Sequence, residues 1–248
     1  MQTVEALVFP DLCLSCRILL PHSREIAVSG RDLFCAACRA RGIPEFTPPF
    51  CRVCGQVFDT GDTHLCETCL TDPPEIHQVR AALLYQGLVP EILALFKYHA
   101  RLSLTRFFDP LMGNALDRYF DYTKIDRIIP VPLHPKKLRQ RGFNQSFLLV
   151  RRLSARCEQH YGTPPGWQVD VTVLKRSRHT ISQTGLDIAS RKNNLKNAFQ
   201  VTDPSRVKGA AVLLVDDVYT TGATCREAAR TLLRAGARQV DVLVLARA

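Results

Sequence analysis

The segment that decides the fold is Val212-Leu213-Leu214-Val215-Asp216-Asp217-Val218-Tyr219-Thr220-Thr221-Gly222-Ala223-Thr224. Its first four residues are an uninterrupted apolar run, which is typical of a central parallel strand buried on both faces. Two acids end the run, and a loop of small and hydroxylated residues then leads into a predicted helix at 225–235. In open α/β sheets, ligands bind beyond the carboxyl ends of the strands. The segment therefore predicts both a parallel sheet and a binding site at its edge.

Strand and helix patterns alternate on both sides of this segment, which predicts an α/β fold with an open parallel sheet. Composition divides the chain into a cysteine-rich module at 1–72, a connecting segment or hood at 75–122 after Pro73-Pro74, and a main domain at 123–248. Periodicity predicts a helix at 144–161 and strands at 79–85, 127–131, 169–174 and 240–246.

Eight of the ten cysteines form four C-x2-C pairs: Cys13 with Cys16, Cys35 with Cys38, Cys51 with Cys54, and Cys66 with Cys69. Each C-x2-C turn places two thiolates on one side of a tight loop, and two turns complete a tetrahedral zinc shell. The pattern predicts two structural zinc ions, which supply folding energy that such a small segment lacks. Sequential pairing of the turns is one solution, and a crossed pairing of alternate turns stays open.

The compartment follows from features near the start and along the chain. The first ten residues have neither the basic nor the apolar region of a signal peptide. No apolar run approaches the ~20 residues that span a bilayer. We expect a cytoplasmic protein, in which thiols stay reduced and paired cysteines are metal ligands before disulfides.

The net charge of +10 predicts an anionic partner, such as nucleic acid, a phosphorylated metabolite or an acidic protein. Basic residues concentrate between 124 and 160, and those proposed to contact nucleic acid are Arg139, Arg141, Arg151 and Arg152. Basic grooves with aromatic platforms suit single-stranded nucleic acid. The alternative is that these charges serve a bound diphosphate.

The segment after the apolar run has the chemistry to hold a phosphorylated ribose. Asp216 and Asp217 can accept hydrogen bonds from vicinal ribose hydroxyls. The loop Thr220 to Thr224 offers backbone N–H groups and hydroxyls to a phosphate, and the positive end of the following helix favours the anion. Gly222 permits close approach of the backbone.

This pattern of two acids and a Thr-Thr-Gly-x-Thr loop resembles the phosphoribosyl pyrophosphate motif of type I phosphoribosyltransferases. Two further motifs are Arg141-Gly142-Phe143-Asn144-Gln145 and Gln183-Thr184-Gly185-Leu186. Together with the cysteine pairs, they resemble the ComF/GntX family, found in bacterial DNA-uptake and DNA-utilisation systems. The resemblance covers nearly the whole chain. It implies a type I phosphoribosyltransferase-like core behind a zinc-ribbon-like module.

The resemblance also implies roles for residues outside the motif. Residues 132–136 lie where the superfamily binds pyrophosphate, which makes Lys136 and Lys137 candidates for the diphosphate. The stretch 176–191 lies where a mobile loop closes over the site, so Arg176, Arg178 and His179 are expected to meet leaving-group charge. Magnesium is expected to arrive with phosphoribosyl pyrophosphate and to take few protein ligands.

One position departs from the purine salvage enzymes of that superfamily. They carry an acid where this chain has Thr220, so salvage of purine bases is not expected, and the acceptor stays unassigned. Two hypotheses follow. The first is a phosphoribosyltransferase in which Asp216, Asp217, Arg176 and Arg178 serve catalysis. The second is a non-catalytic single-stranded-DNA-binding accessory protein that works with DNA-uptake and recombination proteins, its ribose-phosphate site a sensor or a relic.

Overall fold

A computed structural model of the chain describes residues 11–20, 33–177 and 197–248. Within these ranges the strands are β1 (Val79–Leu84), β2 (Arg127–Pro130), β3 (Gln168–Val169), β4 (Leu174–Arg176), β5 (Phe199–Val201), β6 (Ala211–Tyr219) and β7 (Gln239–Arg247). Five strands form a parallel sheet in the order β1-β7-β6-β2-β3, and β4 pairs with β5 in an antiparallel hairpin. The open parallel sheet predicted from the sequence is confirmed.

The α-helices of the described residues are α1 (Ala36–Ala40), α2 (Glu67–Thr71), α3 (Val89–Tyr98), α4 (Thr105–Tyr119), α5 (Pro135–Arg141), α6 (Gln145–Val150), α7 (Leu153–Tyr161) and α8 (Ala223–Arg234). Short 3-10 turns lie at Leu102–Leu104, Tyr122–Lys124 and Pro204–Arg206. None of the helices in the described ranges is long and apolar enough to cross a membrane.

Apolar residues cover both faces of the sheet, as the continuous apolar run of β6 requires. Leu213 and Val215 face a core that includes residues of α3, α4, α6 and α7. Val212 and Leu214 face a second core, which includes residues of α8 and of the β4–β5 hairpin. Because successive side chains of a strand point to opposite faces, the part of a strand that is covered on both faces needs a continuous apolar run, as at 212–215.

The acids of the motif lie inside a strand, which continues past them although the sequence predicts that it ends at these acids. β6 pairs with β7 past the acids, with Val218 opposite Ala246 and Tyr219 opposite Arg247. The strand continues because β7 extends equally far beside it. The polar residues at this end do not break the backbone ladder, and β6 carries both carboxylates to the rim of the sheet.

The strand predicted at 169–174 is wrong as a single element. Its start forms β3 in the main sheet, whereas its end forms β4 in the hairpin. The cause is Asp170, whose Oδ1 accepts hydrogen bonds from the backbone N–H groups of Thr172 (3.0 Å) and Val173 (3.0 Å). This turn takes the chain out of the sheet. The predicted helix at 144–161 is likewise two helices, α6 and α7, separated at Arg151 and Arg152.

The connecting segment 75–122 is structurally continuous with the main sheet. It supplies β1, which pairs with β7, and α4, which contacts β1 and β7. The predicted limits of the three regions stay predictions, but the sheet itself spans the limit at 122.

The connections that follow β2 and β6 leave towards opposite edges of the sheet. From β2 the chain proceeds to β3 at one edge of the sheet, and from β6 it proceeds through α8 to β7 on the other side. The carboxyl ends of β2 and β6 therefore form a topological switch point, where the diverging connections leave a crevice.

Candidate functional site

A cleft of about 420 Å³ lies at this switch point. Its walls come from α3, the end of β2, α5, β4 and the end of β6. The lining residues are Tyr85, Lys97, Tyr98, Val131, Pro132, Leu133, Lys137, Arg141, Gln145, Arg176, Asp216, Asp217, Val218, Thr220 and Thr224.

The two acids of β6 are buried, with relative exposures of 8% for Asp216 and 5% for Asp217. Oδ1 of Asp216 accepts hydrogen bonds from the Ser146 hydroxyl (2.9 Å) and from the backbone N–H of Asp217 (2.9 Å). Burial, reinforced by the neighbouring charge of Asp217, raises the pKa of Asp216 to about 7. The pair is thus held in a fixed geometry, in which Asp216 changes its charge near neutral pH.

A lysine from a different part of the chain compensates the acid pair. Lys97 Nζ on α3 lies 2.8 Å from Oδ1 of Asp217. Burial lowers the pKa of Lys97, but Asp217, with a smaller contribution from Asp216, outweighs that effect and raises it. The other carboxylate oxygen of Asp217 is buried and has no hydrogen-bond partner among the described residues. That oxygen is the acceptor left for a ligand.

Sequence reasoning missed Lys97. The signal for this residue in the sequence was weak. It is a single cation after Phe96, which is buried, and the apolar spacing of this helix predicts only a face that packs against the core. Ser146 was missed as well, because it follows the family motif at 141–145 without belonging to it.

The loop after β6 turns sharply at Gly222, which has φ of +74° and is the N-cap of α8. Thr220 and Thr224 line the cleft. Thr221 Oγ1 accepts a hydrogen bond from the backbone N–H of Ala223 at 3.5 Å. A Cβ added at Gly222 would lie 2.1 Å from the hydroxyl oxygen of Tyr219, so the glycine is required by the tyrosine ring beside it.

Besides Lys97, three cations line the cleft: Lys137, Arg141 and Arg176. Burial, followed by the charges of Arg176 and Arg141, lowers the pKa of Lys137. Burial also lowers the pKa of Arg176, and Asp216 partly offsets the change. An anionic ligand would stabilise the charged form of Lys137, which burial and the neighbouring cations disfavour. The guanidinium of Arg141 lies 5.5 Å from the centroid of the Tyr98 ring.

The remaining predicted residues are dispersed. Lys136 and Arg139 are exposed and do not line the cleft. Arg152 lies 3.5 Å from Asp109 and lines a separate groove on α4 and α7, while Arg151 is exposed. The four arginines predicted to contact nucleic acid therefore do not line one groove, since Arg141 belongs to the cleft. Arg178 and His179 lie outside the described residues.

The cysteines form two clusters, which we call the first cysteine site (Cys13, Cys16, Cys35 and Cys38) and the second cysteine site (Cys51, Cys54, Cys66 and Cys69). Within each, the sulfur atoms lie within 4.8 Å of one another. Tetrahedral zinc with Zn–S bonds of about 2.3 Å requires sulfur separations of about 3.8 Å, so the geometry fits the ion. The sequential pairing is observed, and the crossed pairing is wrong.

Backbone groups prepare both sites for metal. The N–H of Cys35 donates to Sγ of Cys13, and that of Cys66 donates to Sγ of Cys51, each at 3.4 Å. Burial raises the pKa of both acceptor thiols, but backbone N–H donors outweigh it and lower each pKa to about 6. Thiolates are the form that binds zinc.

Two family models match the chain. The double zinc ribbon domain matches residues 4–70, and the phosphoribosyl transferase domain matches residues 147–248. Among solved structures, glutamine phosphoribosylpyrophosphate amidotransferase from B. subtilis covers 54% of this chain and 25% of its own, at 20% identity and a TM-score of 0.31. That likeness is too low to support an argument.

Sequence relatives span almost the whole chain. The DNA utilization protein YhgH of Shigella flexneri is 33% identical over 97% of this chain and 99% of its own length. Competence protein F of Haemophilus influenzae is 31% identical over 95% of this chain and 96% of its own. Competence protein ComFC of Bacillus subtilis is 26% identical over 82% and 78%. With its double zinc ribbon followed by a phosphoribosyltransferase domain, the chain belongs to the ComF family.

Proposed function

We propose that this protein binds phosphoribosyl pyrophosphate with Mg²⁺ in the cleft at the switch point and acts in DNA uptake or utilisation. The observation that carries the ligand assignment is that one cleft contains both kinds of charge: the buried acids Asp216 and Asp217, and the cations Lys137, Arg141 and Arg176. Vicinal hydroxyls need acceptors, and a diphosphate needs cations. The names of the relatives support the DNA-related role.

Each part of the ligand has a matching group. The free carboxylate oxygen of Asp217 and the carboxylate of Asp216 accept from the ribose hydroxyls, and the Thr220–Thr224 loop holds the 5′-phosphate at the start of α8. Lys137 and Arg176 face the diphosphate. Because Lys97 already neutralises Asp217, the acid pair by itself is not a divalent-cation site. Magnesium would arrive with the ligand and would supply positive charge to the leaving diphosphate.

As an enzyme, the protein would transfer the phosphoribosyl group with inversion at the anomeric carbon. The chain's contribution is position and charge: the acids fix the ribose, and the buried guanidinium of Arg176 meets the negative charge that develops on the departing pyrophosphate. Arg178 is proposed for the same role, on the resemblance to the superfamily. Pyrophosphate release in the presence of a panel of acceptors measures whether transfer occurs.

The binding assignment is tested by calorimetry with phosphoribosyl pyrophosphate and Mg²⁺. A hydrogen bond to a charged group contributes roughly 1.5–3 kcal/mol, so Asp216→Asn with Asp217→Asn should weaken binding at least about tenfold. The matched control is Asp121→Asn with Asp203→Asn, which removes two carboxylates that do not line the cleft. The control should bind like the wild type. Equal affinity in all three proteins would remove the assignment.

A second candidate function, binding of single-stranded DNA, rests on the groove that α4 and α7 form. Arg106, Arg152 and Arg156 line this groove of about 460 Å³, and Arg151 is exposed next to Arg152. Among the described residues that line it, the one acid is Asp109, which lies 3.5 Å from Arg152. Such a surface would neutralise phosphates and release counterions.

The test is the salt dependence of single-stranded DNA affinity. Reversal of charge at Arg151 and Arg152 should lower the slope of log affinity against log salt by about 1.4, since each phosphate contact on a single strand contributes about 0.7. The control reverses charge at Lys208 and Arg234, which are exposed and outside the groove. An affinity that does not depend on salt contradicts this function.

A further inference from the structure

Arg247, the last residue of β7, connects the zinc ribbon to the loop of the candidate site. Its side chain is buried, with a relative exposure of 7%. On one side Nε donates to the carbonyl oxygen of Cys54 at 3.2 Å, and Nη2 donates to Oε1 of Gln56 at 3.0 Å. On the other side Nη1 donates to the carbonyl oxygens of Tyr219 (3.3 Å) and Thr220 (3.4 Å). One guanidinium therefore joins two regions that are far apart in sequence.

The zinc-ribbon end of this connection is rigidly seated. The turn between Cys51 and Cys54 carries two ligands of the second cysteine site. The N–H of Val79 on β1 donates to the carbonyl oxygen of Val53 in this turn at 2.7 Å. A Cβ at Gly55 would lie 2.8 Å from the carbonyl oxygen of Val79, so the turn touches the strand directly. The turn that holds the Cys54 carbonyl is thus tied both to the second cysteine site and to β1.

The other end of the connection lies in the candidate site. Tyr219 and Thr220 are two of the four residues between the acid pair and Gly222, and Thr220 lines the cleft. The guanidinium lies 5.2 Å from the centroid of the Tyr219 ring, and that ring occupies the space where Gly222 lacks a side chain. A shift of Arg247 would move both carbonyls and the ring, and with them the start of α8.

We propose that Arg247 is a positioning residue that couples the second cysteine site to the Thr220–Thr224 loop, so that zinc at that site holds the loop in its ligand-ready conformation. The first cysteine site lacks such a link in the part of the chain that the structure describes. It contacts helix α3 instead, because Ser15 and Arg41 near this site donate hydrogen bonds to Glu91. The two metal sites therefore have different roles.

The chemistry of the side chain explains why arginine stands here. A guanidinium is a planar fork with five donors, and it can serve acceptors on two sides at once. A lysine in its place keeps the charge but concentrates three donors on one nitrogen. It cannot serve the Cys54 and Gln56 acceptors together with the Tyr219 and Thr220 carbonyls. Arg247→Lys should therefore break the coupling.

The primary test is amide hydrogen exchange, without any ligand, in a peptide that covers residues 219–224. Arg247→Lys should speed exchange there by about tenfold, because local opening is limited by the hydrogen bonds that are lost. Gln56→Met removes one acceptor on the zinc side only, leaves the core intact and should have a smaller effect of the same sign. Unchanged exchange in both variants would overturn the proposal.

The matched control is Arg80→Lys. Arg80 donates to the carbonyl oxygens of Arg52 (3.1 Å) and Val79 (2.8 Å), so it contacts the same turn of the zinc ribbon without touching the loop. Its replacement should alter exchange in the ribbon and leave residues 219–224 as in the wild type. Equal acceleration of the loop by Arg80→Lys and Arg247→Lys would show general loosening and would also overturn the proposal.

The role of the metal is tested with one ligand variant for each site. Cys66→Ser disables the second cysteine site, and Cys16→Ser disables the first. Only Cys66→Ser should speed exchange at 219–224, and it should add little when Arg247→Lys is already present, because the two changes break one connection. Equal effects of the two cysteine variants, or full additivity with Arg247→Lys, would contradict the coupling.

The consequence for the ligand rests on the proposed function. Phosphoribosyl pyrophosphate with Mg²⁺ should bind Arg247→Lys about five to ten times more weakly than wild type, since a loop that must be ordered on binding lowers the affinity. The two ideas fail separately. If the wild type does not bind this ligand, the proposed function is wrong, while the exchange measurements decide the coupling alone.

Discussion

The cysteine sites and the acid pair are both clusters of like charge, but they are compensated in different ways. Each cysteine site gathers four sulfur atoms within 4.8 Å. Thiolates at that spacing repel one another unless a cation joins them. The acid pair has its cation built in, because Lys97 lies 2.8 Å from Asp217. The cysteine sites therefore depend on a bound ion for charge compensation, whereas the acid pair is compensated by a side chain of the protein.

This difference has a functional consequence. A site that a bound ion closes with four ligands has no position left for a substrate. The acid pair is only partly satisfied, since one buried oxygen of Asp217 lacks a hydrogen-bond partner within the described ranges. A buried acceptor without a partner lowers the stability of the free protein and is satisfied when a ligand donates to it. Such unsatisfied groups are typical of binding sites.

The largest expected effect is that of metal removal. Purified protein should contain about two zinc ions per chain, and chelation should unfold the first 70 residues while sparing the core, because zinc binding contributes roughly 10–16 kcal/mol in small zinc domains. Elemental analysis and limited proteolysis measure the two parts. The absence of zinc after anaerobic purification would contradict the assignment of both cysteine sites.

Loss of the internal cation should rank second. Lys97→Met leaves two buried carboxylates without their partner, which should lower the free energy of unfolding by about 3–5 kcal/mol at pH 8. The loss should be smaller at pH 5, since Asp216 then keeps its proton. Urea unfolding at the two pH values measures this dependence. Lys124→Met is the control: Lys124 pairs with Asp121 at the surface, 3.1 Å away, and its loss should leave the free energy of unfolding almost unchanged, because solvent screens the pair.

Crowding at the turn beside the acids should have an intermediate effect. Gly222→Ala places a side chain at a positive φ and forces the Tyr219 ring to move away from the new Cβ. It should lower the free energy of unfolding by about 2 kcal/mol or more. Gly209→Ala has a similar φ of +73° but nothing within 4 Å, so its thermal unfolding reports the backbone strain alone. Thr221→Val should change stability least and weaken ligand binding less than Gly222→Val does. Equal losses at both glycines would show that the ring is not the cause.

The smallest expected effect is an increase in stability rather than a loss. The pKa of Asp216 is raised to about 7 in the folded protein, above the value near 3.9 of an exposed carboxyl. The folded state thus binds more protons between these values, and stability falls as pH rises towards 7. Asp216→Asn removes this slope. Without ligand, the variant should melt a few degrees higher than the wild type at pH 8, with a smaller difference at pH 5. A lower melting temperature of Asp216→Asn at pH 8 would contradict the idea that the ionised carboxylate of Asp216 destabilises the folded protein.

Much of the fold was predictable because its signals are local. The apolar run of β6, the cysteine pairs and the acid pair each consist of residues adjacent in the chain, and each pattern has one main physical explanation. The errors arose where a distant or side-chain interaction decided the outcome. Asp170 ended β3 through its own hydrogen bonds, and the ladder with β7 extended β6 beyond the acids.

The sequence by itself determined the parallel sheet, the zinc ligands and the place of the candidate site, since neighbouring residues carry each of these signals. Only the tertiary structure decided which cysteine turns share a metal, that Lys97 compensates Asp217, that the basic residues divide between a cleft and a groove, and that Arg247 joins the ribbon to the loop. Charges and hydrogen bonds act through space over a few ångströms, and the fold alone sets which distant residues come that close.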